Sequence, residues 1–92
     1  MTISEAEMAG QVPVSAWCDD ATLHVKLADG RDIVTPLWWY PSLQAASHSQ
    51  RNLMELMFSG IHWPELDEDL SVEGMLRGWK SPDARQPGLA AE

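Results

Sequence analysis

Three residues in the second half of the chain, His62, Asp67 and Asp69, are of types that bind divalent metal ions through imidazole nitrogen and carboxylate oxygen. Their spacing fixes no coordination geometry, and the acidic run lacks the ligand spacing and the glycine of a calcium loop. A solvated acidic turn explains the same residues, with Asp67 or Asp69 capping backbone N–H groups near a following helix. We therefore predict no metal site.

Residues that could carry nucleophilic or acid–base catalysis are scattered along the chain. They are His24, His48, His62 and the single cysteine, Cys18. No nucleophile stands at a local spacing from a base and an orienting carboxylate, and there is no glycine-rich phosphate loop. Catalytic triads also assemble from residues far apart in sequence, so this pattern favours a binding module over an enzyme without deciding the matter. We predict no catalytic residue and no cofactor.

The composition indicates one small acidic domain. The chain has 92 residues, of which 45% are hydrophobic and five are tryptophan, enough for one modest core. Its net charge of −8 arises from 14 acidic and 6 basic residues. Such a surface repels phosphate backbones and attracts basic proteins, so we predict a basic protein partner and no direct binding to nucleic acid.

The cysteine count and the chain ends indicate the compartment and the domain limits. A single cysteine permits no internal disulfide and suits the reducing cytoplasm. No stretch approaches the roughly 20 apolar residues of a membrane helix, and the start lacks the pattern of a signal peptide. We predict a soluble cytoplasmic domain over residues 11–79, with flexible tails over residues 1–10 and 80–92.

The first half of the chain has the period-two alternation of β-strands. Apolar residues alternate from Val12 to Cys18 and again from Leu23 to Leu27, and a third strand runs from Arg31 toward Trp38. Asp19-Asp20 and Asp29-Gly30 separate the strands, and the second pair predicts a tight primed turn in which Gly30 has a positive φ. Pro36 cannot donate a ladder hydrogen bond, so the third strand is predicted at an edge. The pattern predicts a three-stranded antiparallel meander.

The next segment, from Pro41 to Phe58, has apolar residues at helical spacing. They are Leu43, Ala46, Leu53, Leu56 and Met57. Ser47 is a candidate N-cap, so the segment forms one kinked helix or two short ones, ended by Gly60. Ser71 is a second candidate N-cap. The stretch between Gly60 and Ser71 is therefore predicted to connect two helices. The fold class is α+β, with the N-terminal meander followed by short helices packed on one face.

Large aromatic residues are the other notable group. Pro64 restricts the backbone of Trp63, so Trp63 is predicted to be a buried structural anchor beside the structural residues Pro64 and Gly30. If the segment holding Trp38 and Trp39 is extended, the two rings point to opposite sides. Mainly structural roles are favoured for both. Candidate partner-binding residues are Trp39, Glu65, Asp67, Glu68 and Asp69.

Several motifs over residues 12–78 carry a family resemblance. They are the hairpin Asp29 to Arg31, the Pro36-Leu37 pair followed by aromatics and Pro41, and the run IHWPELDEDLS from Ile61 to Ser71. Together they resemble the small bacterial family called domain of unknown function 2442. The resemblance implies a small α+β fold and no established enzymatic activity. Members occur beside toxin-like proteins or fused to helix-turn-helix domains, which implies an antitoxin-like or regulatory role.

The leading hypothesis is a non-enzymatic interaction module, antitoxin-like or regulatory, that binds a basic toxin-like or nucleic-acid-binding protein. One alternative is an acidic mimic of nucleic acid, for example a phage-encoded inhibitor of a CRISPR complex, which would spread carboxylates over a whole face. Another is a small-ligand domain or enzyme with a pocket around His62 and Trp63. Association into a homodimer also stays open.

Overall fold

The computed structural model describes residues 9–87, so residues 1–8 of the predicted N-terminal tail and residues 88–92 of the predicted C-terminal tail lie outside this range. Within it, no helix combines the length and the apolarity needed to span a bilayer. The elements in chain order are strands β1 (Pro13–Cys18), β2 (Thr22–Leu27) and β3 (Asp32–Pro36), a 3-10 turn (Leu37–Trp39), helices α1 (Pro41–Gln44) and α2 (His48–Arg51), strands β4 (Glu55–Leu56), β5 (Gly60–Trp63) and β6 (Glu68–Ser71), and helix α3 (Val72–Arg77).

The first sheet is the predicted antiparallel meander, in the order β1-β2-β3. Cys18 pairs with Leu23, and Leu23 pairs with Thr35 on the third strand. These three side chains point to the same side and are buried, because alternate residues of a strand face opposite sides of a sheet. Pro36 is the last residue of the edge strand β3, as its missing N–H predicts.

The turn between β2 and β3 has the predicted positive φ of 96° at Gly30. Gly30 N–H donates to Leu27 O at 2.9 Å, and Leu27 N–H donates to Arg31 O at 2.8 Å. The loop therefore has three residues, with Gly30 in the position that requires a positive φ after a type I turn. The expected primed turn is wrong in this detail, because a type I′ turn needs a positive φ at Asp29 also, and Asp29 does not have one.

Replacing Gly30 with valine is expected to destabilise the domain by about 1–3 kcal/mol, because a β-branched side chain is poorly tolerated at positive φ. Space is not the cause, since no atom lies within 4 Å of a Cβ built at this position. Gly30→Asn is the matched control, because asparagine adopts positive φ more readily. Chemical denaturation of the three proteins measures the effect, and equal stability of the valine and asparagine variants would contradict it.

The aromatic segment after β3 is not extended. Leu37 to Trp39 form a 3-10 turn, so the expectation that Trp38 and Trp39 point to opposite sides of a strand does not apply. Their rings instead meet edge to face, with 6.3 Å between centroids. Both side chains are partly buried. Pro41 then begins α1, where its missing N–H is not needed.

The predicted break at Ser47 is present. The Ser47 hydroxyl accepts a hydrogen bond from Gln50 N–H, and Gln50 Oε1 accepts one from Ser47 N–H, which together form a capping box. The helix that Ser47 begins ends at Arg51, however, and does not extend to Phe58. Leu53, Met57 and Phe58 are exposed hydrophobic residues and do not form the apolar face of a helix.

The segment predicted to connect two helices contains a second antiparallel sheet, in the order β4-β5-β6. The prediction of a helix end at Gly60 is wrong, because Gly60 begins strand β5 and pairs with Ser71. The physical reason lies in Ile61 and Trp63, which are two residues apart. An extended chain turns both inward, and both are almost completely buried.

Helix α3 begins at the predicted N-cap and ends at Arg77, before Trp79 and Lys80. Ser71 caps it by accepting a hydrogen bond from Gly74 N–H at 2.9 Å. Gly78 ends it in the left-handed conformation, with φ 78°. Glu73 in the first turn and Arg77 in the last form an ion pair of 3.5 Å on its exposed surface.

Asn52 links the two halves of the molecule. Its side-chain oxygen accepts from Cys18 N–H at 2.9 Å, and its amide nitrogen donates to Cys18 O at 3.3 Å. The Asn52 side chain therefore forms hydrogen bonds with the backbone N–H and C=O of Cys18 at the outer edge of β1, as a further strand would. Cys18 itself is a free buried cysteine, and desolvation raises the pKa of its thiol to about 11.

Candidate functional site

The acidic stretch singled out in the sequence forms the turn between β5 and β6. Leu66 N–H donates to Trp63 O at 3.2 Å, so Pro64 occupies the second position of a four-residue turn, where its fixed φ is favoured. Asp67 follows with φ 50°, a backbone conformation that aspartate tolerates better than most residues. Pro64 and Asp67 therefore shape a tight hairpin end.

Trp63 anchors this hairpin in the core. Its side chain has no exposed surface, and its indole Nε1–H donates to Arg51 O at 2.8 Å. The expected burial is thus observed, and the hydrogen bond also satisfies the end of helix α2. Since the ring is fully enclosed, no pocket in the described structure opens onto Trp63 itself.

The four candidate carboxylates of this stretch fall into two pairs. Glu65 and Asp67 are exposed and accept no hydrogen bond from any residue in the range 9–87. Glu68 is half-buried and accepts a short hydrogen bond from the Ser42 hydroxyl, and Asp69 bonds His62 Nδ1 at 2.7 Å. The capping role considered for Asp67 and Asp69 is wrong, since Ser71 caps the next helix.

His62 lies between two acidic residues across the second sheet. Glu55 is its partner on β4, and Asp69 is its partner on β6. Even so, residues 9–87 contain no group of three or more His, Cys, Asp or Glu side chains arranged to hold a metal ion. The arrangement supports one His62–Asp69 hydrogen bond across neighbouring strands.

A second histidine cluster closes the turn between β1 and β2. His24 Nε2 lies 2.9 Å from Asp19 Oδ2 and stacks on Trp17, with 3.9 Å between ring centroids. Asp19 also accepts from Thr22 Oγ1 and from the backbone N–H groups of Ala21 and Thr22. The hydrogen bond from His24 is the largest cause that lowers the pKa of Asp19 below its usual range. Because Asp19 is occupied by turn contacts, this cluster has a structural explanation.

The structure brings Glu68 and Asp69 to the rim of a groove of about 210 Å³ between β6 and the segment after α3. Trp79 and Lys80 line the other side of the groove. Trp39, the remaining candidate, lies next to it: Lys80 Nζ is 4.5 Å from the Trp39 ring centroid, and Ser81 N–H donates to Trp39 O at 3.0 Å. Glu65 and Asp67 do not line the groove.

Sequence reasoning missed the contribution of Trp79, Lys80 and Ser81, because residues 80–92 were assigned to a flexible tail and Trp79 was left at its border. A signal was present in the sequence. Gly78 predicts a helix end with a change of direction, and a tryptophan directly after such an end commonly packs back on the helix. Trp79 packs back on the helix in this way, and its backbone N–H donates to Gly74 O at 2.9 Å.

Comparison with known proteins gives two matches. A family model described as "Protein of unknown function (DUF2442)" matches residues 13–81. The chain is also similar to the crystal structure of a protein of unknown function from Rhodospirillum rubrum ATCC 11170, with 31% sequence identity and a TM-score of 0.68, covering 79% of this chain and 93% of the other. No curated protein matches the chain. The family match spans both sheets and all the helices described above, and the chain therefore belongs to the DUF2442 family of proteins of unknown function.

Proposed function

We propose that the protein is a non-enzymatic interaction module, antitoxin-like or regulatory, that binds a basic protein partner in the cytoplasm. The single observation that carries the proposal is the state of Glu65 and Asp67 at the end of the β5–β6 hairpin. Both carboxylates are exposed and have no hydrogen-bond or ionic partner in the described range. Unpaired charges of one sign raise the rate of encounter with an oppositely charged protein.

The two residues differ in how much the fold explains them. Asp67 has a structural reason, since its φ of 50° favours Asp, Asn or Gly. No structural requirement of the turn explains a glutamate at position 65, because Glu65 makes no contact that caps or closes the turn. Pro64 and buried Trp63 hold the turn in one conformation, so little entropy is lost when a partner binds it. A rigid acidic hairpin end is well suited to contact a basic surface.

The test is capture of a partner from the native host on the immobilised chain, followed by measurement of its association rate. Replacing Glu65 with Gln and Asp67 with Asn together should slow association by about 3-fold or more at low salt. The difference should vanish near 1 M salt, where the Debye length is about 3 Å. The dissociation rate should change little, because exposed charges mainly steer the encounter.

The matched control is the double variant Asp20→Asn and Asp32→Asn, which removes two exposed carboxylates, one from the turn between β1 and β2 and one from β3. It changes net charge equally and should leave the rate near that of the parent. Equal slowing by both double variants would overturn the role of the hairpin, as would recovery of no specific protein. Competition by nucleic acid for the captured protein would instead assign the chain to the class of nucleic-acid mimics.

A further inference from the structure

The groove beside β6 has one rigid aromatic wall. Trp79 is 59% exposed, although a large apolar ring gains free energy from burial. The ring is nevertheless held in place, because it lies directly over Gly74, where a Cβ atom would approach within 3.0 Å of Trp79 Cε3. The Trp79 backbone is fixed as well, by its hydrogen bond to Gly74 O. The structure thus presents a flat indole ring in a fixed orientation.

The opposite wall carries a carboxylate that lacks a cation. Glu68 is half-buried, and within residues 9–87 it has no Lys, Arg or His partner. Its one side-chain hydrogen bond comes from the Ser42 hydroxyl. Lys80 lines the same groove, yet its ammonium group lies over the Trp39 ring and donates to Gly78 O at 3.2 Å. Lys80 therefore forms no ion pair with Glu68.

Tyr40 also lines the groove and is 2% exposed. Burial is the main cause that raises the pKa of its hydroxyl, the neighbouring Thr35 side chain lowers it, and the negative charge of Glu68 raises it to a smaller extent, so the hydroxyl stays protonated. Because Thr35 lies within reach of the Tyr40 hydroxyl, the polar group of the groove that lacks a cationic partner is the Glu68 carboxylate.

We propose that this groove binds an arginine side chain of the basic partner, with the guanidinium group between the Glu68 carboxylate and the Trp79 ring. The inference rests on the proposed function and specifies the chemistry of its contact. A guanidinium group stacks on an indole face and donates two parallel hydrogen bonds to a carboxylate, which an ammonium group cannot do. Arg77 of the chain itself lies 5.9 Å from the Trp79 ring centroid, so the indole is accessible to a guanidinium group.

The size of the groove fits one side chain. Its volume of about 210 Å³ is smaller than the roughly 300–1,000 Å³ of pockets for drug-sized ligands. The carboxylate of Asp69, also at the rim, adds negative charge while it holds His62. Since Asp69 is engaged by His62, the Glu68 carboxylate is the group of the groove that can attract a cation.

The experiment titrates the full chain with an acetylated, amidated hexa-arginine peptide at low salt and follows the indole N–H signals by NMR. The Trp79 indole signal should shift, whereas that of buried Trp63 should not. Glu68→Gln should weaken binding about 10-fold or more, because it removes a charge-assisted hydrogen bond while the amide oxygen still accepts from Ser42. Trp79→Ala should weaken binding also, with the spectrum of the free variant confirming that it is folded.

Two further arms separate this inference from the proposed function. Hexalysine should bind more weakly than hexa-arginine, and equal affinities would overturn the assignment to arginine. If the double variant of Glu65 and Asp67 loses peptide binding while Glu68→Gln and Trp79→Ala keep it, the hairpin end is the contact and the groove inference fails. If Glu68→Gln weakens peptide binding but the hairpin variant associates normally with the captured partner, the groove stands and the proposed role of the hairpin end fails.

Discussion

Replacing Trp63 with alanine is expected to lower the free energy of unfolding by about 3–5 kcal/mol, the range for truncating a buried aromatic side chain. The indole is fully buried among core residues of both sheets and donates its N–H to Arg51 O. The variant would lose this packing and leave the Arg51 carbonyl with only the weak hydrogen bond donated by the Cys18 thiol at 3.7 Å. For a domain of this size, about 4 °C per kcal/mol corresponds to a fall in Tm of at least about 12 °C.

Thermal unfolding followed by circular dichroism measures the change. Trp17→Ala is the matched control, because it removes the same side chain from the outward face of the first sheet, where Trp17 is 53% exposed. Its fall in Tm should be much smaller. A Trp63→Ala protein that melts within a degree or two of the parent would show that Trp63 does not anchor the hairpin.

Replacing Gly60 with alanine is expected to destabilise the domain by about 1–3 kcal/mol, the cost of adding a methyl group where the backbone has no room for it. A Cβ atom at Gly60 would lie 2.6 Å from Leu70 O on the neighbouring strand. Because Leu70 O is a backbone atom within a paired strand, it cannot move aside without changing the register between β5 and β6.

Ser59→Ala is the control for this variant, since it changes the preceding residue, whose side chain is exposed. Chemical denaturation gives the stability, and amide hydrogen exchange in β5 and β6 reports the local effect. Protection of these strands should fall in Gly60→Ala and stay at the parental level in Ser59→Ala. Parental stability and protection in Gly60→Ala would contradict the close contact.

The first half of the fold could be predicted because its signals are local and agree with one another. Alternating apolar residues, two turns with acidic residues and a proline at the end of a strand all indicate the same meander. The N-caps Ser47 and Ser71 were also predictable, since a capping hydroxyl acts on backbone groups within three residues of it.

The second sheet could not be predicted with the same rules. Leu53, Leu56 and Met57 have helical spacing by coincidence, and the exposure of all three shows that the spacing does not reflect a core-facing surface. Strand β4 is only two residues long, so the sequence shows no detectable alternation of apolar and polar residues there. The strand forms because it pairs with β5. Gly60 ends no helix; it is glycine because Leu70 O lies so close. Such a contact depends on the tertiary structure.

The candidate site was partly predictable for a similar reason. The acidic residues Glu65 to Asp69 stood out in the sequence. Which of them accept hydrogen bonds depends on the tertiary structure, because the partner of Glu68 is Ser42 and the partner of Asp69 is His62 on the neighbouring strand. The groove also needs Trp79 and Lys80, which return to β6 only because Gly78 ends helix α3 with a positive φ.

The buried thiol of Cys18 makes the protein convenient for site-specific labelling. With a pKa raised to about 11, about one thiol in ten thousand is ionised at neutral pH, and thiolate is the form that reacts with maleimides. A cysteine introduced at an exposed position such as Glu65 would therefore be the one fast-reacting thiol in the chain. A fluorophore attached there would test the proposed partner binding at the hairpin end without removal of the native cysteine from the core.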